Sequence, residues 1–156
     1  MHIIVKKIIK LKKMEKITEV SATPNTGWEF VNWTENGNVV STTPQFTFEV
    51  TKDVHLVANF QKKTFIIEIG LSGNGSVSGG GSYLYGDEAT LVATPDKHFK
   101  FVGWFIGEDL LSDSETFTFT VEDNMNVTAK FEEIFYNVTL EANPVEGGTV
   151  SGGGLV

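Results

Sequence analysis

The chain has no cysteine and no arginine, only four prolines, and no long apolar run. Without cysteine there are no disulfides, thiolate metal sites or cysteine nucleophile, and the redox compartment stays open. Arginine is the residue best suited to bidentate contacts with phosphates and base edges. Its absence, with the acidic balance described below, argues against nucleic acid as a partner. No stretch approaches the roughly 20 apolar residues of a membrane-spanning helix. In "MHIIVKKIIKLKKMEK" the apolar runs stop at three residues, short of the roughly seven to fifteen of a signal-peptide core. No signal peptide is therefore visible in this chain. Lysines on most sides of a helical wheel also argue against a membrane-surface helix, and residues 1–16 read as a basic leader outside the repeats.

What is present is enough for a packed core, since 40% of the 156 residues are hydrophobic and 12% aromatic. Charge is divided unevenly. Six of the twelve basic residues lie in the first sixteen, against the single acid Glu15, leaving six lysines and nineteen acids in the other 140. Such a body repels a phosphate backbone.

The chain repeats itself. "ATPNTGWEFVNW" at 22–33 returns as "ATPDKHFKFVGW" at 93–104, and the offset of 71 holds without a gap from 22–60 to 93–131, with 13 identities in 39 positions. Ala, Thr, Pro, Phe, Val and Trp are held, while "NT" becomes "DK" and Gly27 becomes His98. A third copy starts at Tyr136, where "YNVTLEANPVEGGTVSGGG" parallels "FIIEIGLSGNGSVSGGG", with two extra residues before its glycines.

Within a copy the period is two. "ETFTFTVE" sets Phe117, Phe119 and Val121 on one face and threonines on the other, the pattern of a half-buried strand. Turn signals at Asn74-Gly75, Gly79–Gly81, Pro95-Asp96, Gly107 and Asp123-Asn124 separate the runs. The pattern predicts strands at 17–23, 28–34, 38–41, 45–50 and 54–60 in the first copy. In the second it predicts 65–71, 75–78, 88–94, 99–105, 116–121 and 126–132. The fold class is all-β, in tandem modules of about 71 residues.

The opening G-x-V-x-G-x-G, Tyr85-Gly86, the A-T-P turn, the aromatic-x-F-x-G-W strand and the closing T-F-x-V…A-x-F resemble the divergent internalin-type B-repeat of bacterial cell-surface and secreted proteins. The resemblance is close over 65–131, covers 20–60 without the opening and is partial from 136. It implies a compact unit related to the β-grasp group that serves as a spacer or adhesion module, in an extracellular or cell-surface protein. It supplies no catalytic residues. His98 and Asn32 stand where the family has glycine.

Candidate chemistry is sparse. Repetition places Phe30, Trp33, Phe46, Phe48, Phe60, Phe101, Trp104, Phe117, Phe119 and Phe131 in the core. The alternative to a spacer is a carbohydrate- or protein-ligand binding domain with exposed aromatics and the Gly-rich loop at the contact, for which Trp28 is the candidate residue. Glu108, Asp109 and Asp113 offer hard oxygen ligands but lack the spacing of a calcium loop, so solvated loop charge is favoured and no metal is expected. The Gly-rich run has no following Lys-Ser/Thr or helix, so it reads as hairpin turns rather than a phosphate cradle. His2, His55 and His98 are far apart, and no nucleophile elbow is present. No cofactor and no enzymatic activity are expected. The expected partners are other repeats head to tail, or a host or cell-wall protein or glycan.

Two phases fit the repeat: 17–61, 65–132 and a truncated 136–156, or 17–87 and 88–156. The first is favoured because "DEATLVATP" follows the Gly hairpin after a tight turn and sequential strands usually pair. It leaves Val138, Leu140 and Val150 poorly covered, and raises the expectation that 136–156 completes the deficient first copy of a neighbouring chain by strand addition.

Overall fold

The structure, a computed structural model, describes residues 16–156. The basic leader lies outside them except for Lys16, whose carbonyl accepts a bond from Val50 N–H at 2.8 Å. The chain divides after Lys62 into two compact units. Both are built of strands, and the described residues contain no α-helix.

The first unit contains β1 (Ile17–Ser21), β2 (Trp28–Glu35), β3 (Asn38–Ser41), β4 (Gln45–Glu49) and β5 (Leu56–Lys62). β1 pairs antiparallel with β4, and a second sheet runs β3-β2-β5. Alternation explains the layers. Phe46 and Phe48 fall on one face of β4 and stack at 5.5 Å, while Thr47 and Glu49 are exposed.

The second unit contains β6 (Thr64–Ser72), β7 (Gly75–Ser78), β8 (Gly81–Leu84), β9 (Glu88–Pro95), β10 (Phe99–Ile106), β11 (Asp109–Ser112), β12 (Thr116–Thr120) and β13 (Met125–Glu133). It ends in β14 (Asn137–Val138), a 3-10 turn at Val145–Gly147 and β15 (Gly154–Leu155). One sheet runs β11-β10-β13-β6-β8 and the other β12-β9-β7. β6 joins β13 in parallel; the other pairings are antiparallel.

Strand for strand, β9 to β13 repeat β1 to β5. The bulge between Phe30 and Asn32 returns between Phe101 and Gly103. The Phe30–Trp33 contact at 6.0 Å returns as Phe101–Trp104 at 5.4 Å. Each indole N–H reaches a backbone carbonyl at 3.1 Å, Trp33 to Pro44 and Trp104 to Ser114. A buried tryptophan must satisfy its donor, and both copies do so from the segment before β4 or β12.

β6, β7 and β8 have no counterpart among the described residues of the first unit. In the second unit they close the core around Ile67, Ala89, Leu91, Ala93, Trp104, Val121, Val127, Ala129 and Phe131.

Besides β14 and β15 of the terminal hairpin, two strands were absent from the periodicity. β8 is short and follows directly on the Gly79–Gly81 turn, and β11 occupies the acidic stretch around Asp109 that reads as loop. β11 was recoverable from the repeat, because it lies 71 residues after β3. Alternation is too weak a signal over four residues, and sheet pairing with β10 makes the strand.

Candidate functional site

The two units differ at the positions where the Gly-rich strands would lie. In the second unit the Phe131 ring is capped by Gly75. A Cβ at Gly75 would come within 2.6 Å of that ring, so only glycine allows β7 to approach so closely. Phe131 is 5% exposed, whereas its counterpart Phe60 is 39% exposed. Phe60 was expected in the core; it is uncovered because its sheet lacks the capping turn. Thr18, Val20, Ala22, Val50, Leu56 and Ala58 are only half-buried, although their counterparts Ala89, Leu91, Ala93, Val121, Val127 and Ala129 are fully buried.

Trp28 is 40% exposed and borders, with Thr23, Asn25 and Phe60, a cleft of about 200 Å³. A groove of about 250 Å³ is lined by Val40, Phe46, Phe48, Val54 and Leu56, and by Glu35 and Lys52, which form an ion pair at 3.2 Å. These aromatic and aliphatic walls suit apolar or stacking contact, and the one ion pair among the polar groups is a surface pair of small energetic weight. The cleft was missed in the sequence because Phe60 reads as core from its repetition.

The terminal segment carries the matching deficiency. Its pairs Asn137↔Leu155 and Val138↔Gly154 reproduce Ile66↔Ser82 and Ile67↔Gly81. Gly152 and Gly154, with φ of 101° and 141°, repeat Gly79 and Gly81 at 98° and 139°. A Cβ on Gly153 would meet Val138 O and Leu140, as one on Gly80 would meet Ile67 O and Ile69. Yet Val138 is 41% exposed against 1% for Ile67, and Leu140 and Val150 are exposed as well.

The other sequence candidates do not converge. Phe30, Phe46, Phe48, Phe101, Phe117 and Phe119 are half-buried, and Trp33 and Trp104 are buried. Glu108 and Asp113 flank β11 and Asp109 begins it; all three are exposed. Among the described residues no three His, Asp or Glu side chains gather into a metal site. His55 and His98 are exposed and on different units, and His2 lies outside the described residues. His98 has a left-handed φ of 69°, matching Gly27 at 76°, so the turn before the aromatic strand requires that conformation in both copies. The turn is a property of the backbone, and Phe99 N–H closes it on Asp96 O at 3.0 Å.

No curated protein and no solved structure matches the chain. No helix among the described residues is long and apolar enough to cross a membrane. The model of the divergent InlB B-repeat domain, a repeat domain rather than a known enzyme family, matches residues 12–64 and again 67–135. With these two matches covering most of its length and the same strand pattern built twice, the chain belongs to the divergent InlB B-repeat family.

Proposed function

We propose that this chain is a non-enzymatic repeat segment of a bacterial cell-surface or secreted protein, acting as a spacer and adhesion module. The observation that carries the reading is where the copies differ. They share strands, bulge and aromatic packing, while substitutions such as Gly27 to His98, Asn25 to Asp96 and Thr26 to Lys97 fall on turns. Selection that keeps a frame and frees its surface suits a part used for its dimensions and its stability. Among the described residues no polar or charged side chain is buried, whereas catalytic groups commonly depend on burial to tune them. The proposal takes the repeats as 17–61 and 65–132, with 136–156 opening a third, and includes the β-grasp relationship that the resemblance implies. Partners on this reading are neighbouring repeats, with host or cell-wall protein or glycan as adhesion targets.

A second reading, a ligand-binding domain, is favoured by one feature: the cleft at Trp28 and Phe60, whose exposed rings could stack on a sugar or a peptide side chain. A glycan array and a pull-down against matrix proteins separate the two. Uniform silence is expected if the module acts as a spacer alone, and a hit that survives Trp28→Ala if it also adheres through another face. A hit abolished by Trp28→Ala establishes the binder. Labelling of intact cells with an antibody to this segment tests the location, and signal confined to lysed cells overturns a surface role.

A further inference from the structure

We infer that the segment 136–156 of one molecule seats on the uncovered face of the first unit in a second copy of this chain. The inference deepens the repeat-segment reading, on which it rests. Its template lies in the second unit, where the equivalent segment β6–β8 sits on the equivalent surface. There β13 holds β6 in parallel, with Met125↔Ile67 and Val127↔Ile69, and β9 holds β7 antiparallel, with Val77↔Ala93 and Ser78↔Val92. In the first unit, β5 pairs only with β2 and β1 only with β4 among the described residues. Neither outer edge carries a further strand among the described residues, and an unpaired edge is a template for strand addition.

The donor is half-formed for the same reason. β6 runs over nine residues, six of them paired with β13, but β14 has only two, and 149–151 form no strand, although β7 does beside β9. These stretches lack the partner that supplies the second row of bonds. Repeat offsets of 71 and 73 define the docked register. Val138 and Leu140 fall opposite Val54 and Leu56, Val150 opposite Ala22, Ser151 opposite Ser21, and Gly148 over the Phe60 ring.

The donor leaves the second unit at the end of β13, whereas the first unit joins it through Lys63 at the start of β6, which runs parallel to β13, so the short tether favours a second molecule. Ile134 N–H bonds His98 O at 2.7 Å, which leaves Phe135 alone before the hairpin opens at Tyr136. The donor is thus held at the second unit. With donor and acceptor on different parts of one chain, the contact is heterologous and propagates head to tail.

Gly148 makes the test specific. A Cβ there meets nothing within 4 Å, and its φ of 164° is open to any residue. Gly148→Val should leave each molecule's fold and unfolding midpoint intact but strike Phe60 on docking. Sedimentation velocity across concentration should show the full chain forming dimers and longer species, and the Gly148→Val variant and a chain ending at 135 remaining monomeric. Because the chain has no cysteine, Ser151→Cys mixed with Ser21→Cys should give a disulfide-linked heterodimer, and mixed with an off-register Thr47→Cys should not. A monomer at every concentration overturns the inference, as does assembly that survives Gly148→Val. So does a Ser21→Cys/Ser151→Cys double variant that closes within one molecule at high dilution. The two proposals fail separately: a glycan or matrix hit on an intact assembly that Trp28→Ala abolishes counts against the repeat-segment reading alone, and a monomer with silent screens counts against the docking alone.

Discussion

Trp104 concentrates the physics of the repeat in one side chain. It is fully buried, packs edge-on against Phe101 at 5.4 Å and satisfies its indole N–H on Ser114 O. Trp104→Ala should cost about 3–5 kcal/mol of the second unit's stability, read by circular dichroism in denaturant. His98 carries a different lesson. A non-glycine residue at φ 69° bears a left-handed penalty, and glycine would relieve it while adding freedom to the unfolded chain. His98→Gly should therefore leave stability unchanged or raise it by up to about 1 kcal/mol, and a loss beyond that would mean the imidazole makes a contact worth keeping. Where the copies diverge inside a strand, the change is compensated. Gly103 sits so close to Leu110 that a Cβ would lie 2.5 Å from its methyl, whereas in the first copy the smaller Val39 stands in place of Leu110 and Asn32 Oδ1 accepts from Asn59 Nδ2 at 2.8 Å.

Among the elements, β7 shows how a strand can owe its existence to its neighbours. "GSVS" has weak strand propensity, yet it is held by β9 and by the approach of Gly75 to Phe131. Gly75→Val must push the turn off that ring. It should destabilise the second unit by about 1–3 kcal/mol in the same denaturation assay. The equivalent Gly148→Val should have no such effect on the isolated molecule, because that site is open. β10 and β12 were legible because alternating aromatics set the period. β7 was legible at 75–78 beside its Asn74-Gly75 turn, whereas β8 was legible only as part of the Gly79–Gly81 turn, because glycine carries no side chain to reveal a face.

At the scale of the whole molecule, the two units should not be equally stable. The second encloses nine buried hydrophobic residues, while among the described residues of the first only Trp33 is a hydrophobic of comparable burial and Phe60 remains open. A small module depends on nearly every buried side chain, so the first unit should open at lower denaturant than the second. Hydrogen exchange should show β1 to β5 losing protection before β9 to β13. A single cooperative transition with uniform protection would mean that the first unit gains cover from elsewhere, which assembly through 136–156 would supply at high concentration.

The sequence by itself determined that the chain is a β repeat with a spacing of 71 residues and that His98 falls where the copies vary. Periodicity and self-similarity are local properties, readable from residue order alone. Only the tertiary structure decided that Phe60 is open while Phe131 is closed, though both are phenylalanine at one repeat position. Burial depends on what lies opposite, and opposite Phe131 is a glycine turn from more than fifty residues away, for which the described part of the first unit has no equivalent.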